Sequence, residues 1–370
     1  MPRPLNARID ISALEQNLGV VRRHLRHSAQ TRILAVLKAD AYGHGLLRAA
    51  EGLKRAEGFA VMELEAAIAL RDAGYRQTIL LLEGFFAATE IPLLVQHHLG
   101  VVVHHGDQLK MLAQASKGAG QGNKLPVFLK INTGMNRLGF SPADFPAALE
   151  TLRACRVVGE ITLMTHFASA DEAAGIAEQL HTFTGLAGGR NLPCSLANSA
   201  ALLRYPKTHS DWVRPGIMLY GASPFADQSA EQLGLRPAMT LSSNIIAVQH
   251  LKAGDRVGYG GAFCADRTMR VGIVAAGYAD GYPRDVSRQP GDGAGGGAPI
   301  LVDGARSRVL GRVSMDMLHV DLSHLPHAHT GSAVTLWGQG LPVEEVARAA
   351  GTVSYELLCA LAARVNVQTT

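Results

Sequence analysis

Short apolar runs recur along the first two thirds of this chain with a regularity that few folds permit. They occupy 33–37 (ILAVL), 58–62 (GFAVM), 78–82 (TILLL), 100–103 (GVVV), 126–131 (PVFLKI), 161–165 (ITLMT), 193–197 (PCSLA) and 212–214 (WVR). Segments of helical character separate most of them. "ELEAAIALRDAG" ends at Gly74, as a left-handed cap would, and "GDQLKMLAQASKG" and "PADFPAALETLRA" each open on an Asp or Pro suited to a first turn. Ahead of the first run, "ISALEQNLGVVRRHL" places Ser12 three residues before Glu15, which predicts a capping box. Its Leu14, Leu18, Val21 and Leu25 repeat at helical spacing. Eight strand-like runs joined by crossover helices predict an α/β fold, a (β/α)8 barrel of the TIM type rather than an open doubly wound sheet.

The texture changes near residue 236. "AMTLSSNIIAVQHLKAGDRVGYGG", "RVGIVAAGYADGY" and "PILVDGARSRVLGRVSMDMLHVDLS" read as strands joined by Gly- and Asp-rich turns, and a short helical tail follows. The expected domains are a barrel over 1–236 and a mainly β C-terminal domain over 237–370. The stretch 288–299 (RQPGDGAGGGAP) reads as a flexible loop, because no helix pattern follows its glycines to make a phosphate cradle.

Composition excludes several classes. A formal charge of +4 spread over 370 residues argues against a nucleic-acid partner or a polybasic membrane anchor. No run of apolar residues is long enough to cross a bilayer, and "MPRPLNARIDIS" has no apolar signal core. Cys155, Cys194, Cys264 and Cys359 share no CxxC spacing, so reduced thiols and a cytoplasmic location are expected. The three histidines of "HLPHAHT" sit in a turn-like segment and read as solvated, not as metal ligands.

Barrels carry their chemistry at the C-terminal ends of the strands. Lys38 follows the first predicted strand and Lys130 ends the fifth, with Arg137 in the loop beyond it. His166 ends the sixth, Asn198 and Ser199 follow the seventh, and Arg214 ends the eighth. Phosphate often binds in the loops after strands seven and eight, which here hold Asn198-Ser199 and Gly216-Ile217, cofactor-binding candidates that offer a hydroxyl and backbone N–H groups. Tyr42 adds a phenol. A lysine whose burial depresses its proton affinity forms Schiff bases. An aldehyde-reactive lysine beside a phosphate grip fits pyridoxal 5′-phosphate.

"AVLKADAYGHG", "KINTGMNRLGF", "LANSAA", "VRPGIMLYG", "VGYGG", "AAGYADGYPR", "GRVSMDM" and "GTVSYELLCALAARV" follow one another in an order that resembles the alanine racemase family over nearly the whole chain. The resemblance implies interconversion of L- and D-alanine, the latter a peptidoglycan precursor, by an isomerase that uses pyridoxal 5′-phosphate. It implies Lys38 as the Schiff-base lysine and Tyr259 as a second base. It places Arg214 against the pyridine nitrogen with His166 beside it, and Tyr42, Ser199, Gly216, Ile217 and Tyr355 around the phosphate. Arg137 and the backbone of Met315 would meet the substrate carboxylate, and Tyr278 would guard the entrance. Lys130 matches a lysine that is carbamylated in some relatives, many of which carry Asp where this chain has Asn132. The resemblance also implies a head-to-tail homodimer, in which Tyr259, Tyr278 and Met315 serve the partner's barrel.

These residue types suit racemisation. An α-proton leaves one face of the substrate and a proton returns to the other, so two carriers are needed, one amine and one phenol. Arg214 donates only, and would leave the ring nitrogen unprotonated. Two other readings compete. A cofactor-binding homeostasis protein would share the barrel and the lysine but lack the β domain. A barrel-type decarboxylase would want an acid near the ring nitrogen and a catalytic cysteine in the β domain.

Overall fold

The computed structural model describes residues 3–25, 30–118, 124–286 and 297–370. Strand β1 (Asn6–Ile9) precedes a helix, Ile11–Leu25. The barrel strands follow: β2 (Arg32–Val36), β3 (Gly58–Val61), β4 (Thr78–Leu81), β5 (Gly100–Val103), β6 (Leu125–Lys130), β7 (Val158–Met164), β8 (Cys194–Ser195) and β9 (Trp212–Val213). Each pairs in parallel with the next, and β9 returns to β2 through Arg32 and Ile33, which closes the barrel. All eight predicted runs coincide with these strands. In β3 and β5 every residue is buried, the signature of parallel strands covered on both faces.

The C-terminal strands are β10 (Met239–Leu251), β11 (Arg256–Val257), β12 (Phe263–Cys264), β13 (Met269–Val274), β14 (Pro299–Val302), β15 (Ala305–Leu310), β16 (Leu318–Asp321), β17 (Ala333–Trp337) and β18 (Asn366–Thr369). Pairings run β13–β16–β15–β14–β17–β10 and back from β10 to β13. The long β10 manages this by breaking its register between Ile245 and Ala247, so that its two halves face different neighbours. The hairpin β11–β12 stands apart and leads through the turn that carries Tyr259.

Two local readings are corrected. The helix over Ile11–Leu25 is capped by Asp10, whose Oδ1 accepts from the Ala13 N–H at 3.1 Å and from the Ser12 hydroxyl at 2.6 Å. The predicted Ser12–Glu15 box is displaced because an aspartate one residue ahead of the helix is the better acceptor there. The expected 1–236 unit also gives β1 to the other sheet, where it pairs antiparallel with β10 and parallel with β18. "NARI" is too short to announce that pairing, which is fixed by strands more than 200 residues away. Of the Gly-rich stretch, 288–296 lie outside the described residues.

Candidate functional site at the barrel mouth

Above the C-terminal strand ends lies a cavity of about 440 Å³. Lys38, Tyr42, Lys130, Arg137, His166, Asn198, Ser199, Arg214, Gly216, Ile217 and Tyr355 all line it. The strand-end rule therefore brought Lys38, Lys130, Arg137, His166, Asn198, Ser199 and Arg214 to one mouth, and Tyr355, implied by the resemblance, joins them there.

Lys38 begins an unusual turn. Ala39, Asp40, Ala41 and Tyr42 all adopt left-handed backbone, with φ of 54°, 49°, 54° and 54°. The turn folds the chain sharply away from β2 and leaves the lysine at the cavity wall. Bonds from Ala41 N–H to Leu37 O (2.9 Å), Gly45 N–H to Asp40 O (2.9 Å) and Leu46 N–H to the Asp40 carboxylate (2.7 Å) hold it. Burial, and then the Arg137 guanidinium, lower the proton affinity of Lys38. Its amine forms no hydrogen bond or ion pair among the described residues.

Arg214 is buried, and burial lowers its pKa to about 10. Its Nη1 donates to Ser195 Oγ at 2.7 Å, and its Nη2 to Thr165 O at 2.7 Å and Leu196 O at 3.2 Å. The Nη2 lies 3.5 Å from His166 Nδ1. No carboxylate pairs with it among the described residues. Asp211, three residues earlier in the chain, instead accepts from the Cys194 N–H at 2.7 Å. Burial and then Arg214 push His166 well below its ordinary value, so the ring is neutral and its Nδ1 can accept. Lys130 is brought down to about 8 by burial, Arg214 and Arg137, and it too has no bonding partner among the described residues. Asn132 makes no hydrogen bond to it. The Asn132 carboxamide accepts from Gly134 N–H (3.2 Å) and Asn136 N–H (3.0 Å), and so shapes the turn that leads to Arg137.

The other wall is a cradle. Ser199 Oγ accepts from the Gly216 N–H at 2.9 Å, while the Ile217 N–H has no acceptor among the described residues. A Cβ on Gly216 would come within 2.5 Å of Tyr42 Oη, so the bare backbone is what lets the phenol close over this spot. Tyr42 stacks on Tyr220 with ring centroids 4.6 Å apart, and Tyr355 stands 6.0 Å from it. Burial raises the pKa of both Tyr42 and Tyr355, which keeps them protonated as donors. Asn198 is spent on structure: its Oδ1 caps the helix Ser199–Arg204 by accepting from Ala201 N–H at 2.9 Å.

Tyr259, Tyr278 and Met315 do not line this cavity. They project from the C-terminal unit, 71%, 39% and 53% exposed. Sequence reasoning missed Ser195 and Thr165, the closest partners of Arg214, because neither residue type announces such a role. It also missed Met62, Glu83 and Asp171 in the cavity wall. Met62 follows β3 directly and Glu83 lies just past Leu82, the residue after β4, so the strand-end rule applied to every strand would have found them.

His44, just past the left-handed turn, should make the protein acid-sensitive. Its Nδ1 faces Tyr42 O (2.9 Å) and Ala41 O (3.1 Å) as a donor, and its buried Nε2 has no partner. A second proton would have nowhere to bond, and burial pulls the pKa from 6.5 to about 4. The unfolded chain takes that proton below about 6.5 and the folded chain refuses it. Stability is therefore full above pH 6.5 and falls as pH drops toward 4, by up to about 3 kcal/mol from this group. Urea midpoints measured from pH 7 to 4.5 should show the decline, and His44→Asn, which keeps a donor for the two carbonyls, should flatten it by about one proton.

Comparison with known proteins shows the family. The family profile described as "Alanine racemase, N-terminal domain" matches residues 9–224, and "Alanine racemase, C-terminal domain" matches 238–369. An alanine racemase of Nitrosospira multiformis is 61% identical over 369 residues, 99% of each chain. One from Ralstonia nicotianae is 53% identical over 99% of this chain and 95% of its own. The biosynthetic alanine racemase of Pseudomonas aeruginosa superposes with a TM-score of 0.93 at 45% identity, covering 100% of this chain and 99% of that one. With both halves matched and the barrel followed by its β domain, this chain is an isomerase of the alanine racemase family.

Proposed function

We propose that the protein racemises alanine with pyridoxal 5′-phosphate at the barrel mouth, by a two-base mechanism. The observation that carries the reading is one cavity holding both Lys38, an amine of lowered proton affinity, and the Gly216 cradle. The cofactor's residues are present in fitting form. Ser199, the Ile217 N–H and the phenols of Tyr42 and Tyr355 would hold the phosphate, Lys38 Nζ the aldehyde carbon, and Arg214 the ring nitrogen. When bound, the cofactor withdraws the electron pair left on the substrate's Cα. Arg214 supports this reaction type. With no acid beside it among the described residues, it would meet the ring nitrogen as a donor only and would keep a proton off it, which would favour proton return over side reactions.

Lys38 Nζ moves the α-proton on one face of the substrate. The partner's Tyr259 moves it on the other. Arg137, at the cavity wall, orients the substrate carboxylate. In this reading the barrel unit of 1–236 and the β unit of 237–370 belong to a cytoplasmic homodimer, in which Tyr259, Tyr278 and Met315 complete the partner's mouth. Lys130 adds CO₂ through its neutral amine, releasing a proton, and the resulting carbamate accepts from Arg137. A ¹³C signal from labelled bicarbonate, absent in Lys130→Met, reads that step. The homeostasis and decarboxylase alternatives have less support: the chain has its full β domain, and Arg214 replaces the acid that a decarboxylase wants.

The test has two stages. Added pyridoxal 5′-phosphate should give a visible Schiff-base band that borohydride bleaches and Lys38→Ala abolishes. Circular dichroism of L-alanine, and separately of D-alanine, should then decay to zero. A chromophore without loss of ellipticity would leave a binding protein, and the absence of any band would overturn the cofactor reading.

A further inference from the structure

Two loops of the C-terminal unit carry residues that the proposed function assigns to the partner's mouth. Tyr278 lies in the turn Tyr278–Asp280, and Met315 lies beyond β15. Their backbones are joined by Tyr278 N–H to Ser314 O (3.1 Å) and Ala279 N–H to Met315 O (3.0 Å). Two arginines from the opposite ends of the chain reach both loops. The Asp280 side chain is fully buried, and Oδ1 accepts from Arg3 Nη1 at 2.5 Å and Arg364 Nε at 2.7 Å. Its Oδ2 accepts from Arg3 Nη2 and from the Gly277 N–H, both at 2.8 Å. Each guanidinium then extends to the second loop. Arg364 Nη2 donates to Asp316 Oδ1 at 2.5 Å, and Arg3 Nη2 to Asp316 O at 2.7 Å.

We propose that Arg3 and Arg364 are positioning residues for the reaction: they clasp the Asp280 and Asp316 loops so that Tyr278 and Met315 enter the partner's mouth as one rigid unit. This rests on the reading that these two residues complete that mouth. The clasp suits arginine specifically. A planar fork can bridge two acceptors on different loops, whereas a lysine ammonium at the end of a flexible stem holds one well. Asp280 is also a buried carboxylate that needs its partners to stay charged in place. Neither arginine lines the barrel-mouth cavity, so their effect is transmitted through the loops.

Tyr278 and Met315 are assigned to substrate entry and the substrate carboxylate, so loosening them should weaken substrate binding more than proton transfer. Arg364→Ala in the holoenzyme should raise KM for alanine by about 10-fold while kcat changes little. Added guanidinium ion should bring KM back in that variant alone, a response that general unfolding would not give. Arg364→Lys should fall between the two. Asp316→Asn leaves Asp280 fully paired and so folds. It weakens only the reach of Arg364 to the second loop, because an amide oxygen accepts less strongly than a carboxylate while Arg3 still holds the Asp316 main-chain O, and it should reproduce the KM effect in weaker form. Tyr278→Ala is measured alongside. If it raises KM while Arg364→Lys and Asp316→Asn keep the wild-type KM, the clasp is refuted and the assignment of Tyr278 stands. If Tyr278→Ala also keeps the wild-type KM, the assignment falls and the clasp with it.

Discussion

Lys38→Ala and Tyr259→Phe, each at least about 10³-fold impaired as a pure protein, should recover about half of the wild-type turnover when the two chains are joined in one hybrid dimer. The reasoning is geometric. Lys38 lines the barrel cavity, while Tyr259 sits 71% exposed on the turn between β11 and β12 and takes no part in the cavity of its own chain. If each mouth draws its phenol from the other chain, both lesions fall on one site of the hybrid. The second site then has an intact lysine and an intact tyrosine. Co-expression with two different tags, followed by capture on both, isolates the hybrid for assay. Were Tyr259 to serve its own barrel, each site of the hybrid would carry one lesion and no activity would return. Washout of the α-proton refines the result. Tyr259→Phe should slow it from one enantiomer of alanine far more than from the other, because in the proposed mechanism the two carriers face opposite sides of the same carbon. Equal losses would count against separate roles.

Much of this arrangement was legible in sequence because two periodicities are strong. All eight apolar runs became barrel strands, since a parallel strand buried on both faces must be apolar at nearly every position. Once the strands were placed, the residues just beyond them had to share one face. That is why Lys38, Lys130, His166, Ser199 and Arg214 meet. What stayed hidden was set by other forces. The clamp on Arg214 uses a serine hydroxyl and two main-chain carbonyls, groups found throughout any sequence. Strand β1 is defined by its partners β10 and β18, and four residues carry too little pattern to reveal them. The last helix of the expected helical tail stops at Cys359, and beyond it Ala362 N–H bonds Asp280 O, at the arginine clasp. The left-handed turn after Lys38 was the least expected feature, since Ala39, Ala41 and Tyr42 have no preference for it.

That turn leads to a pair of substitutions with opposite signs, four residues apart. Left-handed backbone costs about 1–2 kcal/mol for each residue with a Cβ, so Ala39–Tyr42 store roughly 4–8 kcal/mol. The sum is comparable with the whole stability of many domains, so surrounding contacts must enforce the shape. Ala39 is exposed, and Ala39→Gly removes the strain at one position without removing a buried methyl group. Part of the gain is offset by the greater freedom of glycine in the unfolded chain, leaving a net stabilisation of about 0.5–1 kcal/mol. Gly43 is the reverse case. It has φ of 76°, and a Cβ there would sit 2.1 Å from Leu358 O, a main-chain atom that cannot swing aside. Gly43→Ala therefore adds backbone strain and a collision, and should lower stability by about 3 kcal/mol or more. The collision also has a functional direction. Leu358 lies in the helix Ser354–Cys359, which carries Tyr355 to the cradle, so displacing it should weaken pyridoxal phosphate binding by about 10-fold. Urea unfolding and a titration of the Schiff-base band measure the two effects. If both substitutions destabilised alike, the turn would owe its shape to the side chains of 39–42, and Gly43 with its contact to Leu358 would not be what enforces it.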